Sequence, residues 1–281
     1  MTEWKDHLLT EEERQAFDTD GYFLVKDALA SETVDRVNAA MDKCEREARE
    51  EKDGKGDGRL NQHDLIERDD VFLNLIDHPP TFAKVFGVLG WNIQLFHTQM
   101  VITPGHTAER IEKRLGWHQD NNRMNKDFET AIPSHPRVSM KVAYFLSDTR
   151  KVGRANFYIV PGSHESGRIN YASENDLLPE GALATQVKPG DALFFDRRLW
   201  HASSPNVTDV ERRVLFYGYS YRWLRTKSTM DHEHLYDQVD PIRRQLLGYA
   251  TSGNGRFSPK EEDVPLREWI RDNLGEDAVA K

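Results

Sequence analysis

Two histidines and one aspartate are the residues of this chain whose types and spacing could do chemistry. His118 and Asp120 lie two positions apart, so on an extended strand both side chains point to the same face. His201, far downstream, could complete one triangular face of an octahedral metal ion. Two imidazoles and one carboxylate, with the remaining positions open, are the ligands of non-heme Fe(II) oxygenases. The pattern predicts a metal centre for oxidative chemistry.

A carboxylate-binding arginine is the second chemical feature. Arg212 follows His201 by eleven residues and could bind the carboxylate of an organic co-substrate. A planar guanidinium makes two parallel hydrogen bonds with a carboxylate, which lysine cannot copy. Arg213 is the rival, because alternation along a strand places the two side chains on opposite faces. The apolar residues that follow do not decide between these two arginines.

A His-x-Asp pair taken alone is weak evidence, because the chain holds 11 histidines. His118 and Asp120 could form a hydrogen-bonded pair at the surface, and His201 could be a structural histidine. Together with Arg212, the three residues favour the metal centre.

Composition limits the classes of partner. The chain has 281 residues and a formal net charge of −9, which argues against nonspecific binding to nucleic acid or to an anionic membrane. The single cysteine, Cys44, excludes an intrachain disulfide, and no secretory signal is apparent. No segment reaches the roughly 18 apolar residues that span a bilayer. We expect a cytoplasmic protein that acts on a small molecule, with no nucleic-acid or membrane partner; the sequence does not specify its oligomeric state.

Helix signals come first along the chain and strand signals follow. Thr10 and Glu13 form a capping box that predicts a helix to about Asp18, followed by a strand over 22–25. Further helices are predicted over 31–52, 71–77, 79–89, 241–247 and 265–274. Strands are predicted over 93–102, 137–146, 155–160, 184–187, 192–195 and 213–223.

This order of elements favours a mainly β fold with flanking helices. Several short strands joined by Pro and Gly turns are typical of a jelly roll, and the absence of a βαβ alternation argues against a Rossmann or TIM fold. We predict a double-stranded β-helix, a cupin-like jelly roll. One domain would span residues 1–281, with N-terminal helices over about 10–90, the jelly-roll core over about 91–223 and a helical tail over 224–281.

The sequence resembles the phytanoyl-CoA dioxygenase family of Fe(II)- and 2-oxoglutarate-dependent oxygenases, which includes ectoine hydroxylases. The similarity spans most of the chain, from Asp20-Gly21-Tyr22 to the segment 241–248. Its other motifs are Trp117-His118-Gln119-Asp120, Pro161-Gly162-Ser163-His164, Lys188-Pro189-Gly190-Asp191, and His201-Ala202-Ser203-Ser204-Pro205-Asn206 leading to Arg212.

The resemblance implies a dioxygenase that uses 2-oxoglutarate and O₂ and releases succinate and CO₂. It implies that His118, Asp120 and His201 bind Fe(II). It also implies that Arg212, rather than Arg213, binds the distal carboxylate of 2-oxoglutarate together with Ser203. Because family members that halogenate replace the carboxylate ligand with a small residue, the aspartate favours hydroxylation of an unactivated C–H bond, or another oxidation that needs no bound halide.

Less specific candidates follow from strand position. Gln99, Thr103 and Gln119 are candidates for contact with the co-substrate, although Gln119 points away from its metal-binding neighbours on a regular strand. The candidates for the substrate pocket are Arg123, Lys141, Tyr144 and Tyr219, and at most one of Lys141 and Tyr144 can face inward. Two alternative functions remain at this point: a cupin-like metalloenzyme that is a hydrolase or isomerase, and a catalytically inactive jelly-roll binding protein.

Overall fold

The computed structural model describes residues 2–51, 58–120, 124, 127 and 136–279. In these ranges the named α-helices are α1 (Glu11–Asp20), α2 (Ser31–Glu51), α3 (Asp70–Asn74), α4 (Pro79–Leu89), α5 (Ser163–Ser166), α6 (Pro241–Leu246) and α7 (Pro265–Leu274). The strands are β1 (Tyr22–Val25), β2 (Leu60–His63), β3 (Ile93–Thr103), β4 (Ser139–Phe145), β5 (Phe157–Ile159), β6 (Leu183–Ala184), β7 (Ala192–Asp196), β8 (His201–Ser203) and β9 (Arg212–Tyr221). Short 3-10 helices occupy Thr2–His7, Glu233–Leu235, Gly253–Arg256, Glu261–Asp263 and Glu276–Ala278.

The capping box at the start of α1 is confirmed. The Thr10 hydroxyl accepts a hydrogen bond from the Glu13 amide at 3.2 Å, and the Thr10 amide donates to the Glu13 carboxylate at 3.0 Å. These bonds satisfy two amides that the first turn of a helix leaves without a partner. The helix ends at Gly21, whose amide donates to the Phe17 carbonyl and whose left-handed φ of 81° turns the chain into β1.

Two antiparallel sheets form the β core. The larger has the strand order β1-β7-β4-β9-β3-β2, and the smaller has the order β6-β5-β8. The two sheets face each other without closing into a barrel. This arrangement agrees with the predicted jelly roll, and the fold prediction is confirmed.

The two faces of the larger sheet have different partners. Its inner face packs on the smaller sheet through an apolar cluster that includes Val101, Phe145, Phe157, Phe195 and Phe216. Its outer face packs on the helices through residues of the opposite parity, among them Met100, Val142, Tyr144, Leu215, Tyr217 and Tyr219. Because side chains alternate along a strand, parity decides which residues can reach the space between the sheets.

Two strands were not predicted. β2 carries the polar sequence Leu-Asn-Gln-His at the edge of the larger sheet, and β8 has three residues only. Neither has the alternating apolar pattern from which strands are predicted. Both belong to the sheets through main-chain pairing, β2 with β3 and β8 with β5.

Among the helices of the described ranges, none combines the length and the apolar character needed to cross a bilayer. The thiol of Cys44 is buried and free.

The turn before β7 depends on Gly190. Its amide donates to the Phe145 carbonyl and its carbonyl accepts from the Leu29 amide, both at 2.9 Å. Its φ is +94°, and a Cβ added there would lie 2.6 Å from the Leu29 oxygen. Gly190 therefore connects the segment just before α2 to the end of β4, at a position that has no room for a side chain.

We expect Gly190→Ala to lower the free energy of unfolding by about 3 kcal/mol, since it adds overpacking to the left-handed backbone penalty. Gly181→Ala is the matched control, because Gly181 has a φ of +73° but open space around its Cβ position. It should cost only about 1–2 kcal/mol. Urea unfolding measures both, and equal losses for the two variants would refute the steric argument.

Candidate metal centre

Main-chain pairing brings the two predicted histidine ligands together. The His118 amide donates to the His201 carbonyl and the His201 amide donates to the His118 carbonyl, each at 3.0 Å. His201 begins β8 and also pairs with Ile159 of β5. The two imidazoles lie with their ring centroids 4.3 Å apart. The β-bridge therefore fixes one imidazole against the other.

Each imidazole is oriented by a carbonyl two residues before it. His118 Nδ1 lies 2.9 Å from the Gly116 oxygen, and His201 Nδ1 lies 2.8 Å from the Leu199 oxygen. A carbonyl only accepts, so Nδ1 carries a proton in each ring, and the neutral form of either ring has its lone pair on Nε2. Burial lowers the pKa of His201 to about 4, so its ring is neutral at pH 7. Both rings thus present the tautomer that binds a metal.

Asp120 supplies the carboxylate. Its amide donates to the Arg197 carbonyl at 2.8 Å, and the Lys141 ammonium lies 2.8 Å from its carboxylate oxygens. Burial by itself would raise the pKa of Asp120, but the charge of Lys141 and its hydrogen bond outweigh burial and hold this pKa well below its usual range. Asp120 is therefore an anion available for a cation.

The structure brings these three predicted residues into one group. One ligand atom from each of His118, Asp120 and His201 lies within 4.8 Å of the others. A single ion that binds imidazole nitrogen and carboxylate oxygen at about 2.0–2.2 Å needs donors in such proximity. Phe157 stacks on the His201 ring and Phe195 packs edge-on against it, each with a centroid distance of 5.2 Å. The donor set lies against an apolar wall that limits access of water from that side.

Arg212 lies in the same interior. It has the parity of Val214 and Phe216 on β9, and it is paired in register with Thr103 of β3. Its side chain is buried, and among the described residues Nε and Nη2 have no hydrogen-bond partner. Burial, with a smaller effect from the charge of Arg59, lowers its pKa to about 9. An unpaired buried guanidinium is costly and suits an anionic ligand.

Arg213 faces the other way. It pairs with Asp42 at 2.6 Å, with Glu211 at 2.6 Å and with Glu45 at 3.4 Å on the helix-covered face. The choice between Arg212 and Arg213, which the residue pattern left open, is decided by the face that β9 turns towards the smaller sheet. Arg212 is the arginine that the inner face presents.

The candidates for co-substrate contact have different surroundings. Thr103 is buried beside Arg212. Ser203 ends β8 and lines a cavity of about 420 Å³ together with the segment 110–116, which precedes His118. Gln99 faces inward but its amide donates to Asn61 at 2.9 Å. Gln119 is buried, and its amide donates to the Arg198 carbonyl. Thr103 is therefore the member of this set that the structure places beside Arg212.

The predicted substrate-pocket residues separate by parity. Lys141 faces inward and contacts Asp120. The prediction is wrong for Tyr144 and Tyr219, because both point to the helix-covered face. The Tyr144 hydroxyl lies 2.6 Å from the Thr81 hydroxyl, and the Tyr219 hydroxyl donates to the Ile76 carbonyl at 2.8 Å. Arg123 lies outside the described residues.

Sequence reasoning missed His97. It follows the inward parity of Val101 and Gln99 on β3, and it is 2% exposed. The strand pattern contained this signal, since alternation from Thr103 back to His97 places every second residue inward. The β-bulge between Leu95 and His97 ends the regular register at this histidine.

Comparison with known proteins identifies the family. The family model "Phytanoyl-CoA dioxygenase (PhyH)" matches residues 17–214, which is most of the chain, and the chain belongs to this family. It is a non-heme Fe(II)- and 2-oxoglutarate-dependent dioxygenase, as the sequence predicted.

Individual relatives are distant. "Dioxygenase af480" from Aspergillus fumigatus is 30% identical over 125 residues, which are 41% of this chain and 40% of that protein. "Ectoine dioxygenase" from Stutzerimonas stutzeri is 21% identical over 238 residues, and the alignment spans 74% of this chain and 75% of that protein. The crystal structure of HygX from Streptomyces hygroscopicus, with nickel and 2-oxoglutarate bound, matches 78% of this chain and 89% of its own at 18% identity, with a TM-score of 0.59. These likenesses support the fold and the family, and they do not name a substrate.

Proposed function

We propose that this protein hydroxylates an unactivated C–H bond of a small-molecule metabolite, with release of succinate and CO₂. In this proposal His118, Asp120 and His201 hold Fe(II). Arg212, which lies beside Thr103, binds the distal carboxylate of 2-oxoglutarate together with Ser203. The observation that carries the proposal is the buried guanidinium of Arg212, of which two nitrogens have no partner among residues 2–51, 58–120 and 136–279, in the same interior as the three-ligand group. When bound, Fe(II) couples the decarboxylation of 2-oxoglutarate to oxidation of the substrate by O₂.

The chain's own contribution is orientation and exclusion of water. The carbonyls of Gly116 and Leu199 keep both imidazoles in the metal-binding tautomer. Lys141 keeps Asp120 ionised, and Phe157 covers one side of His201. The carboxylate of Asp120 fills the ligand position that halogenating family members leave to a halide, which supports hydroxylation or another oxidation without a bound halide. Prearranged groups of this kind lower the cost of assembling the reacting partners.

The proposal also covers the domain organisation, the partners and the cellular location of the protein. We infer a single catalytic domain, because the larger sheet draws strands from residue 22 to residue 221. The substrate is a small molecule. A nucleic-acid partner is disfavoured, because a chain with a net charge of −9 repels a polyanion. A cytoplasmic location is supported by the free Cys44 and by the need to keep iron reduced.

The first test measures succinate. Wild-type protein with Fe(II), 2-oxoglutarate and O₂ is expected to form succinate, slowly even without the substrate. His118→Ala should reduce the rate by more than about 100-fold, since loss of a ligand exceeds the 10–100-fold cost of losing a residue behind one. His234→Ala, a change at an exposed histidine, should not alter the rate. Absence of succinate from wild-type protein with every candidate substrate would favour the hydrolase, isomerase or inactive binding protein.

The second test separates the two arginines. By calorimetry of the zinc-loaded protein, Arg212→Met should weaken 2-oxoglutarate binding about 10- to 100-fold, which is the value of a charged hydrogen bond. Arg213→Met should leave that affinity unchanged, because Arg213 pairs with Asp42 on the opposite face. Without ligand, Arg212→Met should be at least as stable to urea as wild type, since it removes an unpaired buried charge. Equal affinities in the two variants would exclude the proposed role of Arg212.

A further inference from the structure

A row of side chains crosses the inner face of the larger sheet beside the metal centre. Lys141 on β4 is paired in register with Gly218 on β9, and Gly218 is paired with His97 on β3. Gly218 has no side chain, and a Cβ added there would lie 2.5 Å from His97 Nδ1. The imidazole therefore covers Gly218, which brings His97 towards Lys141 in the row.

His97 has unused hydrogen-bonding capacity. It is 2% exposed, and neither ring nitrogen has a hydrogen-bond partner within the described part of the chain. Burial, together with the Lys141 charge, holds the pKa of His97 well below its usual range, so the ring is neutral with one donor and one acceptor. Buried polar atoms without partners are rare in folded proteins, and one explanation is a missing ligand.

Two further basic residues extend the row towards solvent. The Lys227 amide donates to the Phe96 carbonyl at 2.9 Å, which places this exposed lysine next to His97. Partial desolvation, together with the Lys141 charge, lowers the pKa of its ammonium. The His63 ring lies 6.3 Å from the His97 ring, between centroids. We call His63, His97, Lys141 and Lys227 the basic wall.

The acidic groups near the basic wall do not balance it once the site is loaded. Asp120 faces Lys141, and Asp64 lies next to His63, where its carboxylate accepts from the Thr229 hydroxyl at 2.7 Å. In the loaded site the charges of Fe(II), Asp120, 2-oxoglutarate and Arg212 cancel. The ammonium of buried Lys141 then remains in an interior that has a low dielectric constant, where an anion is attracted strongly. Lys227 and Asp64 add one charge of each sign at the more exposed end of the row.

We propose that the basic wall binds an oxyanion group of the prime substrate, such as a carboxylate or sulfonate, and so selects an anionic small molecule. Lys141 and Lys227 provide the charge, and His97 donates a hydrogen bond from its neutral ring. The proposal rests on the proposed function, because it places this group beside the 2-oxoglutarate-loaded centre. Lys141 has three N–H donors, so it can contact Asp120 and the substrate at once.

The test compares two probes of nearly equal shape, methanesulfonate and neutral dimethyl sulfone. Saturation-transfer NMR is recorded on protein loaded with zinc and saturating 2-oxoglutarate, at low ionic strength. We expect saturable binding of methanesulfonate and at least tenfold weaker binding of dimethyl sulfone. Lys227→Met and His97→Phe should each weaken the binding of methanesulfonate severalfold. Lys141→Met should weaken it about tenfold, as expected for the loss of a charged hydrogen bond. Lys151→Met, at an exposed position, is the matched control.

Each outcome decides the proposal. Equal binding of the two probes, no binding of either, or unchanged binding in Lys141→Met and Lys227→Met would overturn it. Displacement of methanesulfonate by further 2-oxoglutarate would also overturn it, because the probe would then occupy the co-substrate position. The calorimetric titration of 2-oxoglutarate on the same samples reports on the proposed function separately. If 2-oxoglutarate binds normally but the two probes bind equally, the proposed role of the basic wall is rejected and the proposed dioxygenase function is retained.

Discussion

The metal centre depends on one β-bridge, the pair of main-chain hydrogen bonds between His118 and His201. These residues are far apart in sequence, and neither lies in a long strand. The bridge holds a segment that precedes β4 against β8 of the smaller sheet, and it aligns both imidazoles before any ion binds. Asp120, two residues after His118, is held near the two imidazoles because its amide donates a hydrogen bond to the Arg197 carbonyl. Prearrangement by the main chain is what lets three side chains share one ion.

A second constraint, the alternation of side chains, determines which other residues reach the centre. Arg212 faces inward and Arg213 faces outward; Lys141 faces inward and Tyr144 faces outward. The sequence alone supported the metal ligands, the jelly roll and most of the strands, because these leave local patterns. Without the family resemblance it did not choose between the two arginines. It placed Tyr219 on the wrong face, because packing of the sheet against the helices decides which side chains of a strand point inward. β2 and β8 have no apolar pattern to predict them, whereas the inward position of His97 could have been found from the alternation along β3.

The interior combines groups that are costly to bury. Arg212 is buried with donors, and His97 with both ring nitrogens, that find no partner in the part of the chain that the structure describes. Lys141 is paired with a carboxylate that a metal would also bind. An apolar core of the same shape would be more stable. Such costs are retained where a ligand offsets them, and natural proteins accept lower stability at functional sites. The buried polar groups of this protein thus mark the positions where co-substrate and substrate are expected.

The most direct measurement is the visible absorption of the protein titrated with Fe(II) and 2-oxoglutarate without oxygen. A 2-oxo acid chelated to Fe(II) has a charge-transfer band that appears only when the metal keeps two adjacent positions open for it. The account predicts this band at one iron per chain in wild-type protein and its loss in His201→Ala. Absence of the band in wild-type protein that has bound iron would contradict the claim that two imidazoles and one carboxylate hold the ion.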